Sequence, residues 1–503
     1  MGYLYSPVVT KRVVQMLPFQ TLLTINKNGG APVYQQISNG LIGLIREGVI
    51  KPGAPLPGSR EMALLLQVHR KTIVAAYQEL FTQDWIETIP RKGVIVSQRL
   101  PEIKPRSFKA EARIPAYAGN TGFTFDKAPV VLSSAARAGD HRLIINDGFP
   151  DHRVSPIDLL IREYRSLYNS AAIKRYAAYG SALGPLSLRT EMVQFLSDSR
   201  GLNITPGNVM LTHGAQMAIY IAARMILKPG DTVLVGEPNY FLADVLFQQF
   251  GAKLVRIPLD ENGMDVDAIA KICKRQKPRL LYIIPHHHHP TTVTLSADRR
   301  MKLLELIREY NLPVIEDDYD YDFHYSSSPI LPLASADHSG NVIYIGSFTK
   351  TLATFIRVGY MIAPENFISE AALQRRTIDI RGDNVLEEAM ALLFRNGDMQ
   401  RHLKKSVKLY HERRDLLCGL LEQELKGVIS FRKPAGGMAV WARFDEQYPL
   451  PAIAARVSAK GLFMTDGANY SYGTSNHNAL RFGFASLNEK EMREAVAIIK
   501  QVI

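Results

Sequence analysis

Lys350 lies in a small, hydroxyl-rich turn, Gly346-Ser347-Phe348-Thr349-Lys350, which follows the apolar run Val342 to Ile345. Seven residues on, Arg357 opens a second apolar run, Val358 to Ile362. A lysine set between two buried strands needs its charge paired or its amine used, and desolvation lowers its pKa toward a nucleophilic free amine. The chemistry open to that amine is Schiff-base formation. The hydroxyls of Ser347 and Thr349 and the forked donors of Arg357 suit a phosphate, so the group implied is a pyridoxal cofactor. A strand-to-helix turn carrying a surface lysine is the competing reading, and this string alone does not choose between them.

Other residues supply what such a site needs. Thr212-His213-Gly214-Ala215-Gln216 ends one apolar run and opens a helical pattern from Met217 to Leu227. A glycine turn at a helix N-terminus offers free N–H groups and a positive dipole end to a phosphate. Glu237-Pro238-Asn239-Tyr240 follows the next run, with Tyr240 placed either to stack on a cofactor ring or to pack in the core. In Val314-Ile315-Glu316-Asp317-Asp318-Tyr319-Asp320 a buried strand ends in acids. There Asp317 would keep a pyridine nitrogen protonated and the ring an electron sink, while Tyr319, on the same side of an extended chain, reaches the ring hydroxyl. A metal at this cluster is the rival, but no paired histidines at ligand spacing accompany it, and the reading carries no metal. Near the C-terminus Arg481 stands in the apolar run Leu480 to Phe484, and a buried guanidinium requires an anion, for which a ligand carboxylate is a natural choice.

The elements that would hold these groups repeat. Apolar runs at Val209–Leu211, Thr232–Val235, Lys253–Ile257, Leu280–Ile284, Val314–Ile315, Val342–Ile345 and Val358–Ile362 are separated by helical patterns such as Arg299 to Tyr310. Buried strands alternating with helices predict an α/β fold with a seven-stranded, mostly parallel, doubly wound sheet, ligands lying beyond the carboxyl ends of its strands. At 503 residues the chain needs more than one domain. Two distant cysteines, Cys273 and Cys418, exclude a disulfide framework and a cysteine zinc site, and fit a reducing cytoplasm. No apolar run approaches a membrane span, and no signal peptide is expected.

The net charge of +12 is concentrated at the front: the segment through Arg113 carries +8, and the remaining 390 residues carry +4. That asymmetry implies a polyanion-binding module, or else an ordinary solvated basic surface. Residues 19 to 25 are expected to form a short strand or arm. Helical periodicity begins at Val33, with Ile37, Leu41, Leu44 and Ile45 on one face. A short helix capped by Ser59 follows, then a third helix from Arg70 to Phe81. Two short strands, Trp85–Ile89 and Val94–Val96, flank Pro90-Arg91-Lys92-Gly93. Three helices and a basic hairpin make a winged helix-turn-helix. From Gln98 to Asp140 the chain reads as a linker.

The words LPGSRE, HRKTIVAAYQEL and RKGVIV resemble the GntR-type DNA-binding domain over residues 31 to 97. That resemblance makes Arg60, His69, Arg70, Lys71, Thr72 and Lys92 the candidate DNA contacts. It also exposes departures, since Gln67 and Asp84 stand where the family has glycine. Residues 141 to 503 resemble a fold-type-I, aspartate-aminotransferase-like domain with a smaller C-terminal α+β part. YGSALGPLSLR, HGAQMA, EPNY, VIEDDYDYDF, GSFTKTLATFIRVGY and LRFGFA, in order, make the whole chain similar to MocR/GabR-type transcriptional regulators.

The resemblance implies pyridoxal 5′-phosphate bound as an internal aldimine at Lys350. Asp317 would pair the ring nitrogen, Tyr319 contact the ring hydroxyl, and Ala215, Gln216, Ser347 and Arg357 hold the phosphate. Tyr240 would stack, His287 lie beside the ring, and Arg481 take the carboxylate of an amino acid or related effector. The tract His286-His287-His288-His289 departs from the family, as does Thr292 in place of glycine. A surface metal tract or an altered effector pocket titrating near the histidine pKa of about 6.5 are both open, and the second is favoured. The implied function is regulation of transcription by a cytoplasmic homodimer bound to double-stranded operator DNA. A working aminotransferase that carries a DNA-binding module is the alternative, and a cofactor-free regulator a third.

Overall fold

The structure is a computed structural model and describes residues 17–90, 93–101, 119–127, 141–176, 180–325, 330–471 and 476–503. The chain falls into two compact units, Met1–Asp126 and Lys127–Ile503, divided within the expected linker.

In the first unit the helix Val33–Arg46 buries Ile37, Leu41, Leu44 and Ile45, the face its periodicity marks. The helices Ser59–Leu66 and Arg70–Thr82 pack on it, and Tyr77 of the latter donates to the carbonyl of Pro57 at 2.7 Å. The hairpin Ile86–Ile89 with Gly93–Val96 is antiparallel in the register Ile86↔Val96. Two expectations fail. Residues 19 to 25 are neither strand nor arm: Phe19–Leu22 is a helical turn, because Phe19 and Leu23 are both drawn into the core of the unit. Nor does Ser59 cap its helix. Gly58 occupies the cap position, and the Ser59 hydroxyl accepts instead from Arg70 Nε at 3.4 Å.

The second unit is built on an eight-stranded sheet among the described residues. Its order is Val209–Thr212, Gly359–Ile362, Val342–Ser347, Val314–Asp317, Leu280–Ile283, Thr232–Glu237, Lys253–Asp260 and Gly263–Met264. All seven expected runs are present, and the eighth strand is a two-residue edge piece too short to show a pattern. Gly359–Ile362 runs antiparallel to both neighbours and Gly263–Met264 antiparallel to Lys253–Asp260, while the other pairings are parallel. Separate apolar clusters, containing Ile219, Phe247 and Ile368 in one and Ile269, Leu303 and Ile307 in the other, pack helices against the sheet.

The smaller C-terminal part combines the long helix Asp398–Glu424, an antiparallel sheet of Ile429–Phe431, Ala439–Phe444 and Ala479–Gly483, and the helices Leu450–Ser458 and Glu489–Lys500. Leu143–Ile144 pairs in parallel with Leu462–Phe463, and the amide of Gly483 donates to the carbonyl of Asn146 at 3.0 Å. Those bonds lay the segment after the linker beside Arg481. No described helix is long and apolar enough to cross a membrane.

The glycine-to-other departures in the first unit have a backbone consequence. Gln67 and Asp84, both exposed, hold φ of 52° and 59°, the left-handed region that costs a side chain-bearing residue about 1 kcal/mol or more. Gln67 is the left-handed cap of its helix. Replacing both with glycine is expected to stabilise the first unit by roughly 1 kcal/mol, slowing hydrogen exchange in the helix Arg70–Thr82 about fivefold. Unchanged or faster exchange contradicts this.

Candidate functional site

Parallel pairing brings the chemistry-bearing ends of several strands to one edge. Val342–Ser347 pairs with Val314–Asp317 in the register Ile345↔Asp317, so the turn carrying Lys350 starts beside the carboxylate. On the other side Ser347 pairs with Gly359 and Gly359 with Thr212, which carries the helix Gly214–Ile226 to the same place. A cavity of about 340 Å³ opens there, and Lys350, Asp317, Tyr319, Tyr240, Ala215, Gln216, Ser347 and Arg357 all line it.

Lys350 Nζ donates to the carbonyl of Gly148 at 2.6 Å and approaches that of Asp147 at 3.4 Å, standing 4.7 Å from the centre of the Phe149 ring. Gly148 presents its carbonyl at φ 74°, and a Cβ there would lie 3.2 Å from Met438 and 3.3 Å from Arg481 Nη2. Burial pushes the ammonium down to about 8, against the opposing pull of Asp147. Asp317 accepts from Tyr282 Oη at 2.6 Å through one oxygen, while the other is buried without a partner. Burial raises this carboxyl to about 7, with the Tyr282 bond pulling it down and the charges of Asp318 and Asp320 adding to the rise.

The Arg357 end of the cavity is equally defined. Gly214, at φ 75°, begins its helix, and a Cβ there would stand 2.6 Å from Arg357 Nη2, so only glycine admits the guanidinium to this helix N-terminus. Arg357 Nη1 also donates to Thr349 Oγ1 at 3.3 Å, and Ser347 Oγ accepts from the Thr349 amide at 3.2 Å. Gln216 Oε1 is buried and unpartnered. Tyr240 meets the His289 ring edge-on at 5.1 Å, and Tyr319 Oη donates to the carbonyl of His287 at 3.0 Å.

Two assignments move. His287 does not line the cavity: it pairs with Asp320 at 3.0 Å and stacks on His324. The reason is the turn, where His287 at φ 43° and Thr292 at φ 62° redirect successive side chains and bring His289 to the cavity instead. Arg481 is absent from the cavity wall as well, its side chain 0% exposed behind that of Asp147, which is 37% exposed. The four tract histidines are buried, so they form no surface metal tract. They face separate partners: Asp318, Asp320, Thr291 and Asp147 in order. Burial drives His289 below its usual value and His288 down to about 3.

Residues missed from sequence complete the wall: Asp147 and Phe149, from a segment without periodicity. Tyr470 stands behind them, its hydroxyl 3.3 Å from Asp147 Oδ1. The Asn-Asp-Gly turn after an apolar run was the signal available for the first two.

In the first unit Arg60, His69, Arg70 and Lys71 are exposed and Thr72 half-buried, gathered at the starts of the helices Ser59–Leu66 and Arg70–Thr82. His69 caps the latter, its Nδ1 accepting from the Lys71 amide at 3.2 Å. Lys92 lies outside the described residues.

Residues 151–499 match the aminotransferase class I and II family, and residues 33–96 match bacterial regulatory proteins of the gntR family. Over 94% of both chains the protein is 25% identical to the probable rhizopine catabolism regulatory protein MocR of Rhizobium meliloti. It is 28% identical to aromatic-amino-acid aminotransferase 1 of Thermococcus litoralis, over 71% of this chain and 86% of that protein. Among solved structures, an archaeal alanine:glyoxylate aminotransferase superposes with a TM-score of 0.70 at 26% identity, over 75% of this chain and 95% of that one. A kynurenine aminotransferase of Pyrococcus horikoshii, in complex with PMP, gives a TM-score of 0.68 at 26% identity over 75% and 94%.

The raised Asp317 carboxyl predicts a pH effect in cofactor-free protein. Because its folded pKa lies above the unfolded value of about 3.9, its contribution favours folding below that value and is lost as pH rises through about 7. Asp317→Asn, which cannot ionise, is therefore expected to exceed the wild type at pH 8 by on the order of 4 kcal/mol, with the advantage vanishing near pH 4. Denaturant titrations at the two pH values measure this, and a variant less stable at both contradicts it.

Proposed function

The chain belongs to the aminotransferase class I and II family, and from that premise we propose that it is a DNA-binding transcriptional regulator governed by an amino compound at Lys350. The observation that carries the reading is the convergence of Lys350, Asp317 and Arg357 on one cavity in a chain whose first unit matches a DNA-binding family. Its cofactor is pyridoxal 5′-phosphate. The cavity fits that group: an unpartnered buried carboxylate oxygen awaits a ring N–H, an arginine lies on a helix N-terminus, and a lysine amine is held near neutrality.

When bound, the cofactor supplies an aldehyde that condenses with primary amines and a ring that accepts electrons. The protein's own residues do the rest. Arg357, Ser347 and the first amides of the helix Gly214–Ile226 bind the phosphate. Asp317 would hold a proton at the ring nitrogen through its unpartnered carboxylate oxygen. Tyr240 would stack on the ring and Tyr319 contact its hydroxyl, both excluding water, and Lys350, its ammonium already weakened by burial, would provide the amine. A primary amine or amino acid that takes the place of Lys350 changes how the DNA-binding units are presented. Arg60, His69, Arg70, Lys71, Thr72 and Lys92 meet double-stranded operator DNA, the recognition helix starting at Arg70.

The aminotransferase fold further supports a homodimer, and Ile161, Tyr168 and Phe355, 42%, 62% and 60% exposed around an apolar groove, are the surface for it. The regulator acts in the cytoplasm, where its DNA is. Catalytic transamination is the second reading, favoured by the completeness of the cavity and by the aminotransferases among its relatives. Turnover of an amino donor and a keto acid separates the two.

Borohydride treatment of the cofactor-loaded chain is expected to fix the cofactor on Lys350, and Lys350→Ala to abolish that adduct. An adduct at another lysine contradicts the assignment. For DNA, Arg70→Ala is expected to weaken operator binding by about 1–3 kcal/mol and relax specificity. Lys92→Ala should weaken all sequences alike and flatten the salt dependence by roughly one unit. Unchanged binding by both variants in a salt-titrated mobility assay contradicts the interface.

A further inference from the structure

The buried guanidinium that an amino acid would use already faces a carboxylate of the chain itself, while its Nε and Nη2 have no hydrogen-bond partner. Arg481 Nε lies 2.6 Å from Asp147 Oδ1, and Arg481 Nη1 donates to the carbonyl of Pro290 at 3.3 Å. Asp147 is held from two further sides, by His289 Nε2 at 2.7 Å on Oδ2 and by Tyr470 Oη at 3.3 Å on Oδ1. Its backbone is fixed too: the Asn146 carbonyl accepts from Gly483, and the carbonyls of Asp147 and Gly148 face Lys350 Nζ. The cavity wall therefore presents a carboxylate, with the guanidinium sealed behind it.

We propose that Asp147 sets the ligand class of this pocket, selecting primary amines that carry no carboxylate on the carbon bearing the nitrogen. A single guanidinium balances a single carboxylate. A ligand carboxylate arriving beside Lys350 brings a second anion to the same Arg481, and the like charge of Asp147 opposes it. Oδ2 of Asp147, which has one donor, has room for another from the ligand, so amines with a second N–H or O–H donor suit the pocket best. The structure thus turns the expectation drawn from Arg481 alone around: the arginine serves to fix Asp147, and Asp147 meets the ligand.

The inference rests on the reading of this cavity as a pyridoxal phosphate site, and the two are tested separately. Cofactor uptake by the full-length chain, followed by absorbance and by the reduced adduct on Lys350, tests the cavity. With the cofactor in place, matched pairs differing only by the carboxylate test the ligand class: tyrosine against 2-(4-hydroxyphenyl)ethylamine, and phenylalanine against 2-phenylethylamine. Binding is measured by calorimetry and by the absorbance of the cofactor. The amine of each pair is expected to bind at least about tenfold more tightly than the acid. In Asp147→Ala the preference should reverse, and in Asp147→Asn, which keeps the side chain's shape, the acid should gain in the same direction. Replacing Arg481 with Ala in the Asp147→Ala background should remove that gain. Wild type that binds the acids as tightly as the amines overturns the proposal, as does an unchanged preference in both Asp147 variants or a loaded pocket that binds none of the four compounds.

Discussion

The register between two parallel strands is the constraint from which the site follows. With Ile345 opposite Asp317, the chain leaving Val342–Ser347 must turn over the carboxylate, and the turn carries Lys350. A slip of one residue would exchange the faces of the acidic run. As it stands, Glu316 and Asp318 point to one side and Asp317 to the other. Glu316 receives the amides of Leu333 and Ala334 at 2.8 and 2.9 Å, Asp318 receives Tyr344 Oη at 2.9 Å, and only Asp317 reaches the cavity. Three adjacent acids thus divide into two structural anchors and one functional group by strand alternation alone.

Around that register the cavity is a balance of burial and charge. Asp317 pushed up and Lys350 pushed down have the same first cause, the exclusion of water, and both are brought closer to neutral forms. Asp147 goes the other way. Arg481 and His289 hold it as a carboxylate, well below the usual range, despite burial. The pocket therefore has one end poised to change its charge state and another whose charges are locked in place.

Much of this was legible in the residues. The basic hairpin and three helices, the alternating runs of the body and the lysine turn are local patterns, and their geometry follows the patterns closely. Cavity-lining residues at strand ends were readable because strand direction and alternation are local too. Four features were not. The tract His286 to His289 looks uniform, and only the left-handed residues His287 and Thr292 decide which ring reaches the cavity. Asp147 comes from a stretch with no periodicity, placed by bonds to strands more than 300 residues away in sequence. Arg481 was recognised as a buried cation requiring an anion, but which anion is a long-range fact that spacing cannot supply. Phe19, too, belongs to a core assembled from distant helices, which overrides its strand-like neighbourhood.

The central claim is that occupancy of the Lys350 pocket and affinity for DNA are one equilibrium. Titrating a primary amine into the cofactor-loaded full-length protein, in the presence of labelled DNA from upstream of its own gene, reads cofactor absorbance and DNA affinity in one sample. The account predicts that both change with the same midpoint, and that neither responds in Lys350→Ala. An absorbance change that saturates while DNA affinity stays constant would contradict it.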